Sequence, residues 1–410
     1  MFESHLKPPY TPKVYGFHID STNSNPNTAV TYIADAVGMT PAYMDYQNDE
    51  FNYGSWENAF FMPRPCMLNS DATVAYYLDE DDYSKKADGT ASDVDDDTFD
   101  GNAMMEWGRD NQRIWYKIVP DELDSTSASI YISNQCVDND YRAWSFINAD
   151  GQMTEHFYTP IYNGTIDGNG KLRSISGKLY SDLCQNKNVT QEVTAAELNN
   201  PTGKKLWYTE QYCDVTLINL LLILISKSLD TQTAFGKGRS GQTSGAQYML
   251  GTGTMDKKGM FWGSSSNNDG VKVFGMENYW GNQWRRFAGL QINDYQQFYK
   301  MTRSMADGSS ATDYNQTGDG YLQACLSPNA GGYTSKMWYN KDGFFDYSID
   351  GGSPSKYYCD YLYTRAGLRF ALRGGSSDYT FTHCGAFFVF LYSSASTTDW
   401  GFGAAVSCKP

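Results

Sequence analysis

The strongest constraint on the fold is one apolar segment in a chain that otherwise consists of polar turns and scattered aromatic residues. Between Val215 and Ile225 only Thr216 and Asn219 interrupt the run of aliphatic side chains. The run is well short of the roughly 20 residues that span a bilayer, so it predicts a buried helix at about 214–228 and no membrane insertion. Because nearly every face of this helix is apolar, we expect the rest of the fold to surround it.

Length and composition predict two domains. The chain has 410 residues, more than one ordinary core requires. Residues 1–102 end in the acidic stretch 79–100, and we expect them to form a smaller β-rich attachment or assembly domain. The acidic stretch lacks the alternating ligands of an EF-hand loop, which favours a solvated loop or boundary over a calcium site. Residues 103–410 would form the second domain.

Short β-like segments separated by turn residues characterise this second region. We predict strands at 113–119, 129–132 and 144–147, and a turn at 148–151. After Gly236 the chain is again rich in Gly, Ser and Tyr, with short apolar runs. The predicted fold class is therefore α+β, with short irregular β-strands and one central buried helix.

Charge and motifs argue against several functions. The formal net charge is -15, whereas nucleic acids and anionic membranes bind to basic surfaces. The sequence GKGRSG at 236–241 matches GxGxxG, but it follows a predicted helix instead of a strand, so we reject a dinucleotide site. With four histidines and no P-loop, nucleophile elbow or HExxH motif, the sequence predicts no catalytic residue, metal or cofactor.

The cysteines and the first residues bear on the compartment. Eight cysteines are scattered along the chain without a CxxC pair, which favours free thiols in a protein made in the cytosol. The first ten residues show no charged and apolar pattern of a secretion signal. We therefore expect no signal peptide.

Residues 277–290, ENYWGNQWRRFAGL, resemble the signature of the formylglycine-generating-enzyme branch of C-type-lectin-like domains. Its residue types have a structural explanation, since large rings pack inward, glycine permits a tight bend and asparagine hydrogen-bonds to nearby backbone. We assign inward packing to Trp280, Trp284 and Phe287. The tight bend is assigned to Gly281, and the hydrogen bonds to nearby backbone to Asn278 and Asn282.

Two further segments agree with this resemblance in order and spacing. Residues 220–238 are similar to the central helix and glycine turn of the phage and prophage versions of the domain. Residues 368–405 resemble the C-terminal block of the variable proteins of diversity-generating retroelements. The three segments lie within 220–405, a span of about half of the chain. The resemblance implies a variable region at about 369–410.

In those variable proteins, an error-prone reverse transcriptase rewrites adenines, so that AAY codons diversify. Such codons yield Tyr, Phe, His, Asp, Ser, Thr or Gly, but never Lys, Glu, Gln, Met or Trp. Between Ser376 and Gly403 this chain contains no Lys, Glu, Gln, Met or Asn, and its single Trp400 would be a fixed residue. A plain β-hairpin that lacks such residues would have the same composition, so this alternative stays open.

The resemblance implies ten ligand-binding positions set between fixed apolar residues. We expect Tyr379, Phe381, Phe390 and Tyr392 to provide affinity, and His383 and Asp378 to provide specificity. The fixed partners would be Gly374, Gly375, Gly385, Ala386, Phe387, Phe388, Trp400, Phe402 and Ala404. The ten predicted ligand-binding residues are Asp378, Tyr379, Phe381, His383, Phe390, Tyr392, Ser393, Thr397, Asp399 and Gly401.

These residues imply a binding protein and not an enzyme. The resemblance predicts a phage tail or prophage-encoded receptor-binding protein, located in the virion or made in the bacterial cytosol. Its expected partners are a host cell-surface protein or glycan receptor and other virion tail proteins, and a homo-oligomer such as a trimer stays open. Two alternatives remain, a non-diversified structural virion protein and an oxidoreductase of the formylglycine-generating type. That enzyme family has a C-terminal Gly-Phe-Arg-Cys segment, where this chain has Gly-Phe-Gly-Ala at 401–404, with Cys408 nearby.

Overall fold

The computed structural model describes residues 12–302 and 320–410. The first ten residues, on which the signal-peptide expectation rests, lie outside the described residues. The α-helices of the described part are α1 (Val189–Glu197), α2 (Tyr212–Ser226) and α3 (Thr231–Phe235). Short 3-10 helices lie at Arg109–Asn111, Trp144–Phe146, Tyr180–Asp182 and Ala246–Tyr248.

Strands account for most of the regular structure, so the prediction of a β-rich chain with few helices is confirmed. Many of the strands are only two or three residues long. Those of the described residues are β1 (Val14–Ile19), β2 (Val30–Ala34), β3 (Tyr43–Asp45), β4 (Glu50–Asn52), β5 (Arg64–Asn69), β6 (Val74–Tyr77), β7 (Gly101–Trp107), β8 (Trp115–Pro120), β9 (Ala128–Ser133), β10 (Phe157–Pro160), β11 (Thr165–Ile166), β12 (Leu172–Arg173), β13 (Trp207–Thr209), β14 (Trp262–Gly263), β15 (Val271–Val273), β16 (Met276–Glu277), β17 (Trp284–Asn293), β18 (Gln296–Tyr299), β19 (Leu322–Leu326), β20 (Gly332–Tyr333), β21 (Lys336–Tyr339), β22 (Phe344–Ser348), β23 (Tyr361–Thr364), β24 (Arg369–Arg373), β25 (Val389–Leu391), β26 (Phe402–Gly403) and β27 (Val406–Cys408).

Three sheets organise the described chain. Their strand orders are β2-β1-β9-β8, then β13-β27-β10-β7-β5-β6, and β19-β18-β17-β24-β25-β23-β20 with β26 paired in parallel to β17. Most neighbours are antiparallel, but β23 and β25 run parallel. Three strands of the predicted variable region, β24, β25 and β26, belong to the last sheet, and β27 belongs to the second.

Strand pairing joins the two predicted domains. Strand β1 pairs with β9 over its whole length, and β5 pairs with β7, which contains residue 102. Phe17 and Ile130 belong to the same hydrophobic core as helix α2. The acidic stretch 79–100 is mainly loop and connects two strands that both pair with β5. The described residues therefore do not divide at the predicted boundary between 1–102 and 103–410, because two sheets and one core extend across it.

Helix α2 confirms the prediction of a central buried helix. All fifteen of its residues are buried, and it ends where Lys227 adopts a left-handed backbone with φ 53°. Helix α1 and the short α3 were not predicted. A capping box marks the start of α1, because the side chains of Asn188 and Gln191 accept hydrogen bonds from each other's backbone N–H groups.

The strand predictions are partly correct. Strands β8 and β9 coincide with the segments predicted at 113–119 and 129–132, within two residues at each end. The segment predicted as a strand at 144–147 is instead a 3-10 helix, with the Ser145 and Phe146 side chains buried. A run of apolar and aromatic residues this short does not by itself distinguish a strand from one helical turn.

The ENYWGNQW segment adopts most of its predicted roles. Trp280 and Trp284 are buried, and so is Phe287. Gly281 has φ +72° and donates its N–H to the Gly374 carbonyl at 2.9 Å, which is the expected tight bend. Asn282 exchanges two side-chain hydrogen bonds with the Leu250 backbone.

Asn278 differs from its predicted role. Its side-chain Oδ1 has no hydrogen-bond partner among the described residues. Its contribution is conformational, because it adopts φ 51° in the left-handed region that asparagine tolerates better than most residues.

Candidate ligand-binding surface

The sheet that contains β17, β24, β25 and β23 has different neighbours on its two faces. On one face, Leu362 and Leu391 pack with Tyr212 and Val215 of helix α2. On the other face, a smaller and mainly aromatic cluster is formed by side chains of the sheet itself and of the segment 379–388. We call the solvent-facing part of this cluster and its neighbours the aromatic surface. It comprises Tyr333, Tyr361, Tyr363, Tyr379, Phe381, His383 and Tyr392.

Buried rings support the aromatic surface from below. The Trp284 ring lies 4.5 Å from that of Phe388 and 5.0 Å from those of Phe390 and Tyr379, measured between centroids. Tyr363 in turn lies 5.8 Å from both Phe390 and Tyr379. Edge-to-face and tilted contacts of this kind add stability beyond burial alone, so the surface rests on a rigid base.

His383 is enclosed by tyrosines. Its ring stacks on that of Tyr361 at 4.0 Å, and the Tyr333 ring meets it edge-on at 5.4 Å. The Tyr333 hydroxyl lies 2.8 Å from Thr382 Oγ1, which fixes that ring. Burial lowers the pKa of His383 to about 4, because the charged imidazolium would lose hydration. The imidazole is therefore neutral at physiological pH.

The glycine-rich loop 236–245 holds the backbone of the neighbouring variable segment. Gln242 N–H donates to the carbonyl of Ser377 at 2.7 Å, and Gly241 N–H donates to that of Tyr379 at 2.6 Å. The side-chain amide of Gln232 donates to the Phe381 carbonyl at 2.9 Å. Three alternate carbonyl groups are thus fixed by contacts that do not depend on the side chains of 377–381.

Polar groups lie around the edge of the aromatic surface. Asp378 accepts hydrogen bonds from Ser376 Oγ at 2.7 Å and Ser244 Oγ at 3.1 Å. At two other places on the edge, Lys237 Nζ lies 5.6 Å from the centroid of the Phe381 ring and the Arg365 guanidinium 4.8 Å from that of Tyr392.

The remaining predicted positions lie in a loop before β26. Asp399 Oδ1 accepts a hydrogen bond from Gly401 N–H at 2.7 Å, and the Thr397 carbonyl accepts one from Arg286 Nη2 at 2.7 Å. These contacts are structural, because Asp399 closes a turn and Arg286 ties the loop to β17.

The structure places the ten predicted residues in three different environments. Phe381 and Tyr392 are exposed, at 43% and 41% of their full area. The half-buried ones are Asp378, Tyr379, His383, Thr397 and Asp399. The other three, Phe390, Ser393 and Gly401, are buried.

Each buried position has a structural reason. The Phe390 ring packs on Trp284, and the Ser393 carbonyl accepts the Phe370 N–H at 3.0 Å. The Gly401 carbonyl accepts the Trp284 N–H at 2.9 Å. Trp400, assigned to the fixed core, is only half-buried.

Sequence reasoning missed the tyrosines that precede the variable region. Tyr361 and Tyr363 alternate with the buried Leu362 on β23, which is the period of two that places both rings on one face. The Tyr-Leu-Tyr pattern was a usable signal for that face. Nothing local in the sequence indicates that Tyr333 joins them, since this depends on the pairing of β20 with β23.

The described residues contain no group of three or more His, Cys, Asp or Glu side chains arranged to hold a metal ion. All eight cysteines are free in the structure. Cys408 lies with Cys66 and Cys184 in a hydrophobic cluster that is separate from the aromatic surface. No helix in the described ranges has the length and hydrophobicity to cross a bilayer.

No family model and no curated protein matches the chain. Its function must therefore be argued from the aromatic surface.

Proposed function

We propose that this chain is a ligand-binding protein and that the aromatic surface is its recognition site. The observation that carries the proposal is the way the segment 377–381 is held. Its carbonyl groups are fixed by loop 236–245 and Gln232, whereas Phe381 is exposed and Asp378 and Tyr379 are half-buried. Side chains at such positions can change with little effect on the backbone that presents them, which is what a variable binding surface requires.

The composition of the surface supports the same function. Tyrosine and phenylalanine give a large contact area with few rotatable bonds, so ordering them on binding costs little entropy. The buried Trp284, Phe388 and Phe390 beneath them limit their motion further. Rigid aromatic residues above a packed base are typical of interface residues that dominate affinity.

We further propose that the domain is C-type-lectin-like and is the variable protein of a diversity-generating retroelement in a phage or prophage. The sequence resemblance of 277–290 and 368–405 supports this assignment. Its partners would then be a host cell-surface receptor and other virion tail proteins, and its location the virion. Among the ten predicted positions, burial favours Asp378, Tyr379, Phe381, His383 and Tyr392 as contact residues, with Thr397 and Asp399 at the edge.

A stability experiment tests whether the surface tolerates variation. Asparagine is the residue from which the diversified codons would descend, so we compare Phe381→Asn and Tyr392→Asn with Phe390→Asn. The two exposed positions should change the free energy of unfolding by less than about 1 kcal/mol, whereas the buried ring should cost more than about 3 kcal/mol. Equal costs at all three positions would contradict a tolerant surface.

The encoding DNA tests the retroelement assignment. We expect a near-identical repeat of the variable region beside a reverse-transcriptase gene. Where the two copies differ, the repeat should have adenines in the codons of the substituted positions. If no such repeat exists, diversification is rejected and a non-diversified structural virion protein becomes the better assignment. The binding role of the aromatic surface would be unaffected by that result.

A further inference from the structure

Three features of the aromatic surface constrain its ligand. The first is that several ring faces are already occupied. His383 covers one face of Tyr361 at 4.0 Å, while Lys237 and Arg365 lie over the Phe381 and Tyr392 rings. A sugar ring that binds by stacking needs an open aromatic face. These contacts reduce the ring area on which a sugar could stack.

The second feature is the set of tyrosine hydroxyl groups. Those of Tyr361, Tyr363 and Tyr379 make no hydrogen bond to another described residue, and none is a buried atom left without a partner. Each therefore keeps some access to solvent and can donate and accept a hydrogen bond, although burial raises the pKa of the Tyr379 hydroxyl. Such groups suit the amide and side-chain groups of a protein surface, as in antibody binding sites.

The third feature is a pair of cations without counter-charges. Neither Lys237 nor Arg365 forms an ion pair with a described residue, although the chain carries a net charge of -15. The two acidic side chains among the predicted contact positions already accept hydrogen bonds within the chain, Asp378 from two seryl hydroxyl groups and Asp399 from the Gly401 N–H. Lys237 and Arg365 are thus two positive charges beside neutral aromatic rings, with no ion-pair partner among the described residues.

We propose that the aromatic surface binds a protein segment in which aromatic or aliphatic side chains are accompanied by carboxylates, and that Lys237 and Arg365 pair with those carboxylates. Both cations lie before the variable region, so they would supply a constant contact while positions 378–392 vary. The inference rests on the proposed binding function, because it assigns the ligand of the same surface. Complementary charges at an interface contribute mainly to orientation and partner selection.

The test uses the full chain and a peptide probe. A displayed library of random peptides of about 15 residues is selected against the protein, a length sufficient to cover one such site. A selected peptide is then synthesised with Glu and with Gln at its acidic positions. We expect the Gln form to bind about tenfold more weakly, because it retains shape and hydrogen bonding but loses charge.

The variant Lys237→Glu/Arg365→Glu should weaken binding of the acidic peptide by about tenfold or more. Its matched control is Lys204→Glu/Lys205→Glu, which changes the net charge by the same amount at two exposed lysines. These lysines lie beside Leu206 and line a cleft together with Pro410. The control should stay within about twofold of the unmodified protein. Equal effects of the two variants would overturn the assigned role of Lys237 and Arg365.

Variants of the surface itself separate this inference from the proposed function. If Phe381→Asn and Tyr392→Asn weaken peptide binding but the charge-reversed protein binds normally, only the acidic-ligand inference fails. If the selection returns no peptide whose binding depends on Phe381 and Tyr392, and no oligosaccharide binds in its place, both fail. Binding of sialylated oligosaccharides in place of peptides would keep the binding function and overturn the protein ligand.

Discussion

A buried ion pair holds the loop that carries the last predicted contact positions. Arg286 Nε lies 2.8 Å from Glu192 Oε2, and both side chains are at most 1% exposed. Arg286 also donates to the Thr397 carbonyl through Nη2. The pair therefore connects helix α1, strand β17 and the loop before β26, so its loss should affect both stability and the order of that loop.

Glu192→Gln removes the negative charge with little change in size and leaves the Arg286 guanidinium without a counter-charge in the interior. Breaking a buried pair by removing one partner costs about 3–5 kcal/mol. Burial raises the pKa of Glu192 to about 7, because the charged carboxylate loses hydration there. Because the carboxylate is already costly to bury, we expect the free energy of unfolding to fall by about 3 kcal/mol, the lower end of this range.

Urea-induced unfolding followed by tryptophan fluorescence measures this loss. The matched control is Asp138→Asn, because Lys117 Nζ lies 2.9 Å from Asp138 Oδ2 in a pair that is open to solvent. Exposed pairs contribute about 0–1 kcal/mol, so the control should be nearly neutral. If the two substitutions cost the same, burial does not decide the energy of the Arg286–Glu192 pair and the reasoning is wrong.

Three further predictions concern the surface and its support. His383 should titrate near pH 4 when followed by NMR, because burial lowers its pKa from the usual value of about 6.5. The free energy of unfolding should therefore fall by about 1 kcal/mol as the pH drops from 6.5 toward 4, after allowance for the partial exposure of the ring. Gly241→Ala should weaken ligand binding, because it would disturb the loop that holds the Tyr379 carbonyl. Gly241 has φ +66° and an added Cβ would lie 2.8 Å from Asn267 Nδ2, so the expected cost in unfolding free energy is about 1–2 kcal/mol. Asn219→Leu should cost about 2–3 kcal/mol in the same urea assay, since Asn219 Nδ2 donates to the Ala386 carbonyl at 2.9 Å and Oδ1 accepts from the Tyr279 hydroxyl at 3.1 Å.

Each of these predictions has a decisive control. A His383→Gln variant that keeps the same loss of stability in acid would show that another group titrates. Gly89→Ala, at a left-handed glycine with no atom near its added Cβ, controls for backbone strain alone and should leave binding unchanged. Adding Tyr279→Phe to Asn219→Leu removes the unpaired hydroxyl and should restore part of the stability; no recovery would contradict the assigned hydrogen bond.

Features that depend on residue type and on neighbours in the chain could be predicted from the amino-acid sequence. Helix α2 follows from a run of aliphatic residues that only burial on all sides can accommodate. The bend at Gly281 and the inward packing of Trp280 and Trp284 follow from residue type, since glycine permits a left-handed backbone and large rings seek the interior.

Which aromatic side chains stay exposed depends on residues that are distant in the sequence, so it could be read only from the folded chain. Phe390 and Tyr392 both suit a strand that displays alternate residues, yet Phe390 is buried because the ring of Trp284 lies above that face of β25. Tyr333 and Tyr361 reach His383 because strands β20, β23 and β25 are neighbours in one sheet. A pattern of alternating residues states which side chains share a face, but the strands and loops that pack on that face determine which of them remain available to a ligand.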